Sequence, residues 1–417
     1  MADNEQQLRD RIASLKMTID SLPSLRSTVE ETGIASPETK ARAQLITELS
    51  ENEEELEILL ESKRVAAAVR LQDELHPPLN SEDCPICLET IKYVNSETVS
   101  RFNCCGCIVC KQCTKARIAT CKKEGSDEML RNKCPLCREN LFRKDDYSYK
   151  KIGKKVLEHS NRGCAWALTK VGKWHLNEVG KKFGFSFNKE KGLQLLKQAV
   201  DQRNSDALME MADVYSGETH EQLYYMKEAA NLGHRGAQYL LAKEYISQNR
   251  DIDSCLHYVT LAVNEGLSIA CGLLGQMFMS GECGLTISLV LAKHYFEKCL
   301  EDAENDDRFA FPLAFTLYLL GELRYGGVLD VPGHSPIPKI LFWGNKALKD
   351  WPKTIDSDWL TNLESEAKNH CANCRKEAGC SSLKRCVRCF GAWYCGKDCQ
   401  VAHWKAGHKI DCIKKKG

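Results

Sequence analysis

Two stretches before the first cysteine carry apolar residues at helical spacing. In the first, five of them follow at alternating steps of four and three: Leu8, Ile12, Leu15, Ile19 and Leu22. Pro23 interrupts this heptad stripe. The second stretch runs from about Glu38 to Leu75 and is rich in Glu, Leu and Ala. The pattern predicts two amphipathic helices that pack on each other or on the rest of the chain; the alternative is a coiled-coil arm that forms a homodimer.

From about residue 161 to 350, small residues recur at a longer interval. A small residue follows an apolar one at Gly172, Ala212, Ala242, Gly275 and Gly321. An alanine lies five positions earlier in the first four copies, at Ala167, Ala207, Ala237 and Ala270. An aromatic lies three positions later in copies two to four, at Tyr215, Tyr245 and Phe278. The intervals of 40, 30, 33 and 46 residues centre on the length of a helix pair. We expect closely packed helix pairs, with the aromatic filling the gap to the next pair.

These units resemble the Sel-one-like branch of tetratricopeptide-type repeats, which read roughly A-x3-LG-x2-Y followed by a second, alanine-containing helix. The match covers about 190 residues and is clearest in the second and third units. The resemblance implies a helical solenoid with a concave protein-binding surface, but it names no ligand. A globular helical domain is the alternative.

Charge and composition limit the classes of partner. The 417 residues are 43% hydrophobic and 28% charged, with a net charge of +1, which argues against a general polyanion binder. Residues 1–75 carry 16 acidic and 9 basic side chains, whereas residues 371–417 carry 11 basic and 3 acidic ones. The C-terminal lysines are scattered and no groove-reading element accompanies them, so the sequence does not favour nucleic-acid binding.

The sequence also bears on location. The start, MADNEQQLRD, lacks the apolar core of a signal peptide. The longest charge-free apolar stretches, such as FAFPLAFTLYLLG (309–321), are too short for a membrane span. We therefore expect the cytosol or nucleus and no membrane association. In a reducing compartment the 23 cysteines are expected to bind metal rather than to form disulfides.

The first cysteine-rich segment contains four ordered pairs. It reads C-x2-C-x17-C-x-C-x2-C-x2-C-x20-C-x2-C from Cys84 to Cys137, with CPIC and CPLC at its ends. A C-x2-C pair places two thiolates at two corners of a zinc tetrahedron, so eight ligands predict two zinc sites. Carboxylates, which calcium and magnesium prefer, are absent from these positions.

This pattern is similar to a RING finger, in which the pairs interleave. The resemblance assigns one zinc to Cys84, Cys87, Cys110 and Cys113 and the other to Cys105, Cys107, Cys134 and Cys137. Cys107 stands where the family more often has histidine, in a run that here reads CGCIVC. An alternative frame uses Cys104 with Cys105 in place of Cys105 with Cys107.

RING fingers resemble one another in function as well. Most are ubiquitin ligases that bind a ubiquitin-charged conjugating enzyme and form no covalent intermediate, so they act through proximity and population shift. Ile86 and Pro135 match the family's apolar docking platform, and Arg138 matches the arginine that bridges ubiquitin and the conjugating enzyme. The alternative roles are structural: Ile86 and Pro135 shape the knuckles, and Arg138 offsets thiolate charge. The tryptophan frequent after the family's central helix is missing between Cys113 and Cys134.

The second cysteine-rich segment resembles a MYND finger. It reads C-x2-C-x11-C-x2-C-x5-C-x3-C-x8-H-x3-C from Cys371 to Cys412. The resemblance assigns one zinc to Cys371, Cys374, Cys395 and Cys399 and the other to Cys386, Cys389, His408 and Cys412, and it leaves His403 as a surface or outer group. Gln400 and Trp404 match residues that line a groove for proline-containing peptides, although Trp404 could instead pack the small core.

Together these patterns predict a mainly α protein with a helical-repeat solenoid flanked by two small cross-braced zinc modules and an N-terminal helical or coiled-coil arm. The expected segments are an arm at 1–75, a linker at 76–83, a RING-type finger at 84–140, repeats at 161–350 and a MYND-type finger at 371–412. We expect about four zinc ions per chain. The functional hypothesis is a RING-type ubiquitin ligase whose repeats and MYND finger bind substrate or partner proteins; the alternative is a non-catalytic interaction scaffold.

Overall fold

Helices make up most of the protein. The computed structural model describes residues 2–79, 81–123, 133–139, 146–217, 219–247, 251–302, 308–350, 358–377 and 383–413. The chain divides into two units, Met1–Ala66 with Ser268–Gly417 and Ala67–Leu267. The predicted fold class, mainly α with helical repeats and cysteine-rich modules, is confirmed. Among the described residues, no helix combines the length and apolarity that crossing a bilayer requires.

Three helices form the N-terminal arm: α1 (Ala2–Asp20), α2 (Leu25–Thr32) and α3 (Pro37–Leu75). Ser24 begins α2 as its N-cap, because its hydroxyl accepts the Ser27 N–H at 3.1 Å. Pro37 opens α3 at the helical position where a missing N–H costs nothing. The break at Pro23 therefore separates the heptad stripe from a second short helix before the long one begins.

Short elements form the first cysteine-rich module. Strand β1 (Glu82–Asp83) pairs antiparallel with β2 (Thr90–Ile91), and β3 (Val99–Arg101) pairs antiparallel with β4 (Ile108–Cys110). Helix α4 (Lys111–Lys123) follows β4 directly. Strands of two or three residues bury too little surface to be stable alone, so this segment needs another source of folding energy.

The α-helices that follow in the described residues of the unit Ala67–Leu267 are α5 (Asp146–Asn161), α6 (Ala165–Leu176), α7 (Lys189–Asp201), α8 (Ser205–Val214), α9 (Thr219–Asn231), α10 (Arg235–Ser247) and α11 (Ile252–Asn264). In the other unit they are α12 (Ser268–Ser280), α13 (Leu289–Asp302), α14 (Ala310–Tyr325), α15 (Ile337–Asp350) and α16 (Asp358–Asn369). The C-terminal module adds β5 (Lys384–Arg385) paired antiparallel with β6 (Trp393–Tyr394), then α17 (Lys397–His403), a π-helical turn (Trp404–His408) and α18 (Lys409–Asp411).

The small residues of the repeat lie where two helices touch. They occupy the first helix of five pairs in the described chain, α6/α7, α8/α9, α10/α11, α12/α13 and α14/α15. A Cβ atom added at Gly275 would lie 2.8 Å from the Phe296 ring, and one at Gly172 would lie 3.0 Å from Leu196. The preceding alanines, such as Ala207 and Ala237, are fully buried. Larger side chains at these positions would force the helices of a pair apart.

The recurring aromatic has a partner within its own helix pair. Each of the three stacks on a tyrosine of the second helix of that pair, and that it also fills the gap to the next pair stays a prediction. The ring centroids of Tyr215 and Tyr225 lie 5.6 Å apart, those of Tyr245 and Tyr258 lie 6.2 Å apart, and those of Phe278 and Tyr295 lie 5.8 Å apart, with interplanar angles of 12°, 16° and 3°. The aromatic thus ties the two helices of one unit together.

Helix α3 packs on repeat helices of its own chain through its acidic side chains. Within the unit Met1–Ala66 with Ser268–Gly417, the Glu54 carboxylate accepts hydrogen bonds from Lys293 Nζ at 2.8 Å and Arg324 Nη2 at 2.6 Å. Tyr295 donates its hydroxyl proton to the buried Glu61 at 2.6 Å. Polar anchors of this kind fix the position of the helix along the repeats as well as its orientation.

The beginning of the heptad stripe is covered within the chain. Leu8 and Ile12 are buried, while Leu22 is exposed. Helix α1 is joined to α3 by an ion pair between Lys16 and Glu53, whose N···O distance is 2.8 Å. The simpler interpretation of the pattern, amphipathic helices packing within the chain, accounts for these contacts. A coiled-coil homodimer stays a prediction.

We expect Glu54→Gln to lower the free energy of unfolding by about 1.5–3 kcal/mol, because it weakens two charge-assisted hydrogen bonds. Burial raises the pKa of Glu54, but Lys293 and Arg324 outweigh it and hold the pKa below its usual 4.5. A lowered pKa means that the carboxylate stabilises the fold above pH 4.5 and that this contribution is lost as the pH falls further. Urea unfolding at several pH values checks this, with the exposed Glu55→Gln as control. Equal midpoints for the two variants at pH 7 would contradict it.

Candidate metal centres

Four of the C-x2-C pairs share one backbone geometry: Cys84–Cys87, Cys134–Cys137, Cys371–Cys374 and Cys386–Cys389. In each pair the residue after the second cysteine has a positive φ, with 62° at Leu88, 58° at Arg138, 58° at Arg375 and 59° at Phe390. The N–H of that residue donates to the carbonyl of the first cysteine at 2.8–3.0 Å in all four. This turn brings both thiols of a pair into the same ligand group.

The first cysteine of a knuckle is placed to be a thiolate. Burial raises the pKa of Cys84, but the backbone N–H groups of Cys110, Cys87 and Ile86 outweigh it and lower the pKa to about 6. Burial also raises the pKa of Cys134 and of Cys371. Backbone N–H groups two and three residues later in the chain contribute to outweighing it, and both pKa values fall to about 6. The thiolate is the form that binds zinc, so the backbone prepares these residues for metal.

The thiols and one imidazole meet in four groups. In each group the ligand atoms lie within 4.8 Å of one another. The groups are Cys84, Cys87, Cys110 and Cys113; Cys104, Cys105, Cys134 and Cys137; Cys371, Cys374, Cys395 and Cys399; and Cys386, Cys389, His408 and Cys412. Each takes its ligands from alternate parts of its segment, which is the interleaving expected from the sequence.

The spacing of the sulfur atoms fits zinc. Four sulfurs bound tetrahedrally at about 2.3 Å lie about 3.8 Å apart. The Sγ–Sγ distance is 3.9 Å for Cys87–Cys110, 3.7 Å for Cys105–Cys134, 3.7 Å for Cys374–Cys395 and 3.9 Å for Cys386–Cys412, one pair from each group. Sulfur and imidazole donors without carboxylates favour zinc over calcium or magnesium. The four groups accommodate about four zinc ions per chain.

The second group differs from the preferred sequence assignment. Cys104 is a member and Cys107 is not, so the alternative frame with Cys104 and Cys105 is the one that the geometry favours. Cys107 directly precedes β4, and its carbonyl accepts the Phe102 N–H at 2.9 Å. This hairpin contact fixes the Cys107 backbone, while the turn at Gly106, where φ is 76°, brings Cys104 and Cys105 toward the last knuckle.

Two histidines lie side by side in the C-terminal module. His408 is 1% exposed, and its Nε2 lies 3.6 Å from Cys389 Sγ. His403 is outside the tetrad but is not at the surface, because it is 4% exposed and its ring stacks on His408 at 4.8 Å. Burial lowers the pKa of His403 to about 3, and its Nδ1 shares a hydrogen bond with the Tyr394 hydroxyl at 2.9 Å. His403 therefore orients a ligand without being one.

The residues that match RING docking positions lie at the surface of the first module. Ile86 is 47% exposed, Pro135 is half-buried and Arg138 is exposed. The structure adds two apolar side chains on the same knuckles, Leu88 at 77% and Leu136 at 44% exposure. The sequence analysis missed these two residues, although their positions in the knuckles could have indicated them. Leu88 occupies the same position in the first knuckle as Arg138 does in the last, and Leu136 the same position in the last as Ile86 does in the first.

The candidate peptide-binding residues of the second module are partly accessible. Gln400 on α17 is half-buried, and Trp404 is 37% exposed. The Arg388 guanidinium lies 5.5 Å from the centre of the Trp404 ring, and the ring approaches His408 edge-on at 6.1 Å. Trp404 thus supports a zinc ligand and also leaves part of its surface open to solvent.

A loop of the first module anchors it to repeat helices of the unit Ala67–Leu267. Tyr93 packs against Gly233, where an added Cβ would lie 2.3 Å from the ring. The Ser96 N–H donates to Asp206 at 3.0 Å, and Glu97 accepts the Gly236 N–H at the start of α10 at 2.9 Å. A carboxylate at a helix N-terminus is favoured by the helix dipole. Sequence reasoning did not find this contact.

Comparison with known proteins finds partial similarities. Two solved structures with helical repeats are similar in part: a Sel1 repeat protein from Oxalobacter formigenes, at 16% identity with a TM-score of 0.34, and a protective antigen of uropathogenic Escherichia coli with an SLR fold, at 15% identity with a TM-score of 0.37. The first match covers 42% of this chain and 74% of the other, and the second covers 53% and 49%. Residues 371–412, which hold the third and fourth ligand groups, match the MYND finger family.

Proposed function

We propose that this protein is a zinc-dependent, RING-type ubiquitin ligase whose helical repeats and MYND finger bind substrate proteins. The observation that supports it most directly is the surface of the first module, where Ile86 and Leu136 expose apolar side chains on two knuckles and Arg138 follows the second. An exposed leucine or isoleucine on a knuckle does not stabilise the module itself. Its burial against a partner protein would stabilise the complex.

The proposed mechanism uses binding rather than covalent chemistry. Zinc bound to the tetrads holds the knuckles in place. Burying Ile86 and Leu136 against a conjugating enzyme would each contribute about 1.5–3 kcal/mol. The Arg138 guanidinium has five N–H donors in a planar fork, which suits it to bridge carbonyl oxygens on ubiquitin and on the enzyme. Holding the two together favours the conformation in which a substrate amine reaches the thioester.

The attachment of the module to the repeats supports a role in substrate transfer. The loop that contains Tyr93, Ser96 and Glu97 joins the first module to α8 and α10 through side-chain and backbone contacts. A substrate held on these repeat helices would therefore stand at a defined distance from the docked conjugating enzyme. Such positioning raises the effective concentration of the substrate amine.

We expect Ile86→Ala and Arg138→Ala each to slow ubiquitin chain formation in a reconstituted assay by at least about tenfold, because each removes about 1.4 kcal/mol or more of docking or bridging energy. Val387→Ala is the matched control, since Val387 is an 81% exposed apolar residue on a knuckle of the other module. Zinc content and the thermal midpoint should be the same in all four proteins. The ligase proposal fails if no conjugating enzyme supports chains, or if both variants keep the wild-type rate.

A non-catalytic interaction scaffold is the second candidate. The partly exposed Trp404 favours it, because an accessible indole beside Gln400 suits an extended proline-containing segment and needs no transfer reaction. The ligase and the scaffold would use the same binding surfaces. They differ only in whether ubiquitin is transferred. A protein that binds partners through the repeats and the MYND finger, but forms no ubiquitin chains with any conjugating enzyme, would be the scaffold.

A further inference from the structure

Five sulfur atoms, one more than a tetrahedral ion takes, crowd the second metal centre. Besides the tetrad of Cys104, Cys105, Cys134 and Cys137, the Cys107 Sγ lies 3.1 Å from Cys105 Sγ and 3.8 Å from Cys134 Sγ. The other three groups have no such neighbour among the described residues. Cys105 and Cys134 therefore lie near two candidates for the fourth ligand, Cys104 and Cys107.

Cys104 completes the tetrad in this structure, but Cys107 lies at comparable distances from two of its members. Cys104 lies 3.9 Å from Cys105 and 3.3 Å from Cys137, measured between sulfurs. The Cys107 sulfur lies 3.1 Å from that of Cys105 and 3.8 Å from that of Cys134. A tetrahedral zinc site requires about 3.8 Å between sulfurs, so each candidate has one edge at that length and one that is short. Zinc has no electronic preference of geometry that would choose between them.

The backbone between the candidates is held in place, so exchange needs side-chain rotation and little else. Arg101 Nη1 donates to the Gly106 carbonyl at 2.9 Å. A Cβ added at Gly106 would lie 3.2 Å from the Trp166 ring, which shows how closely the loop rests on that side chain. Cys104 and Cys107 are each half-buried, so the thiol outside the coordination shell remains within reach of small molecules.

We propose that Cys104 and Cys107 are alternative fourth ligands of one zinc ion, with Cys105, Cys134 and Cys137 as the constant three. At any moment one of the two binds the metal and the other is a free thiol. The free thiol is the modification site of this module: it can add to the carbon–carbon double bond of a maleimide while the zinc stays bound, forming a C–S bond as the π bond breaks, with the thiol proton ending on the adjacent carbon. The inference holds whether or not the protein is a ubiquitin ligase.

Zinc content of the purified full-length variants tests the exchange. Cys104→Ser and Cys107→Ser should each retain the wild-type number of zinc ions, because the other thiol takes the vacant position. The double variant should lose about one zinc ion per chain, as should the control Cys84→Ser, which leaves the first centre with three thiols. If either single variant loses an ion, or if the double variant keeps all of them, the site has a fixed ligand set and the proposal is wrong.

Mapping of N-ethylmaleimide adducts on the wild-type protein provides a readout that needs no variant to fold. Trypsin releases residues 102–111, FNCCGCIVCK, as one peptide that contains both candidates. With zinc retained, fragmentation should find the adduct on Cys104 in some molecules and on Cys107 in others, and never on both. Double labelling without zinc release, labelling of one position alone, or labelling of neither would each overturn the proposal.

Discussion

Chelation of zinc is expected to unfold both cysteine-rich modules and to leave the helical repeats folded. The buried core of the C-terminal module consists of Cys371, Cys386, Cys389, Ala392, Tyr394 and Cys412, so four of its six members are metal ligands. Structural zinc contributes about 10–16 kcal/mol in small zinc-binding domains, far more than one tyrosine and one alanine can replace. The first module has strands of two or three residues and depends on metal in the same way.

Limited proteolysis and circular dichroism together measure this effect. After chelation, cleavage should appear within 84–139 and 371–412, while the helical signal of the repeats persists, because their buried Leu, Ala and aromatic side chains do not depend on metal. Restoring zinc should restore protection, which controls for irreversible damage by the chelator. Modules that stay resistant to protease without metal, or repeats that lose their helical signal with it, would contradict the expectation.

Leu241→Ala is expected to destabilise the repeats by about 2–5 kcal/mol, whereas Leu240→Ala should cost less than about 1 kcal/mol. The two leucines are neighbours on α10, but Leu241 is fully buried and Leu240 is 41% exposed. Truncating Leu241 leaves a cavity beside Ala242, the small residue that lets α10 approach α11. Truncating Leu240 removes atoms that water already touches.

Urea unfolding followed by circular dichroism measures the difference between these variants. The pair is matched in residue type, helix and helix propensity, so a difference in midpoint reports burial alone. Similar midpoints for the two variants would show that α10 does not pack as the structure has it. A shift in the slope of the transition, rather than its midpoint, would mean that the two units unfold separately.

Much of the architecture was predictable because it is set by local spacing. A C-x2-C pair forms a knuckle by a turn of four or five residues, so eight of the metal ligands could be assigned without knowledge of the rest of the fold. The order of pairs, together with the family resemblance, was enough to group Cys84 and Cys87 with Cys110 and Cys113. The small residues of the repeats were equally visible, because Gly275 and Ala242 mark close helix contacts wherever they occur at a helix-pair period.

Contacts between distant segments could not be predicted in this way. Cys104, Cys105 and Cys107 have nearly the same sequence environment, and only the position of the hairpin that ends in β4 decides which sulfurs meet Cys134 and Cys137. The heptad stripe is equally ambiguous. An apolar helix face predicts that the face is buried, but not whether it packs against a second copy of the protein or against another part of the same chain. Leu8 and Ile12 are covered within the chain.

The element types, the knuckles and the requirement for about four zinc ions can be predicted without the tertiary structure. These follow from interactions within a few residues, where backbone geometry and residue chemistry leave few alternatives. Three contacts depend on the tertiary structure: the aromatic stacks within its own helix pair in three of the repeats, α3 binds Lys293 and Arg324 through Glu54, and a fifth thiol adjoins the second metal centre. Each of these depends on atoms far apart in the chain, whose meeting is set by the packing of whole helices and hairpins.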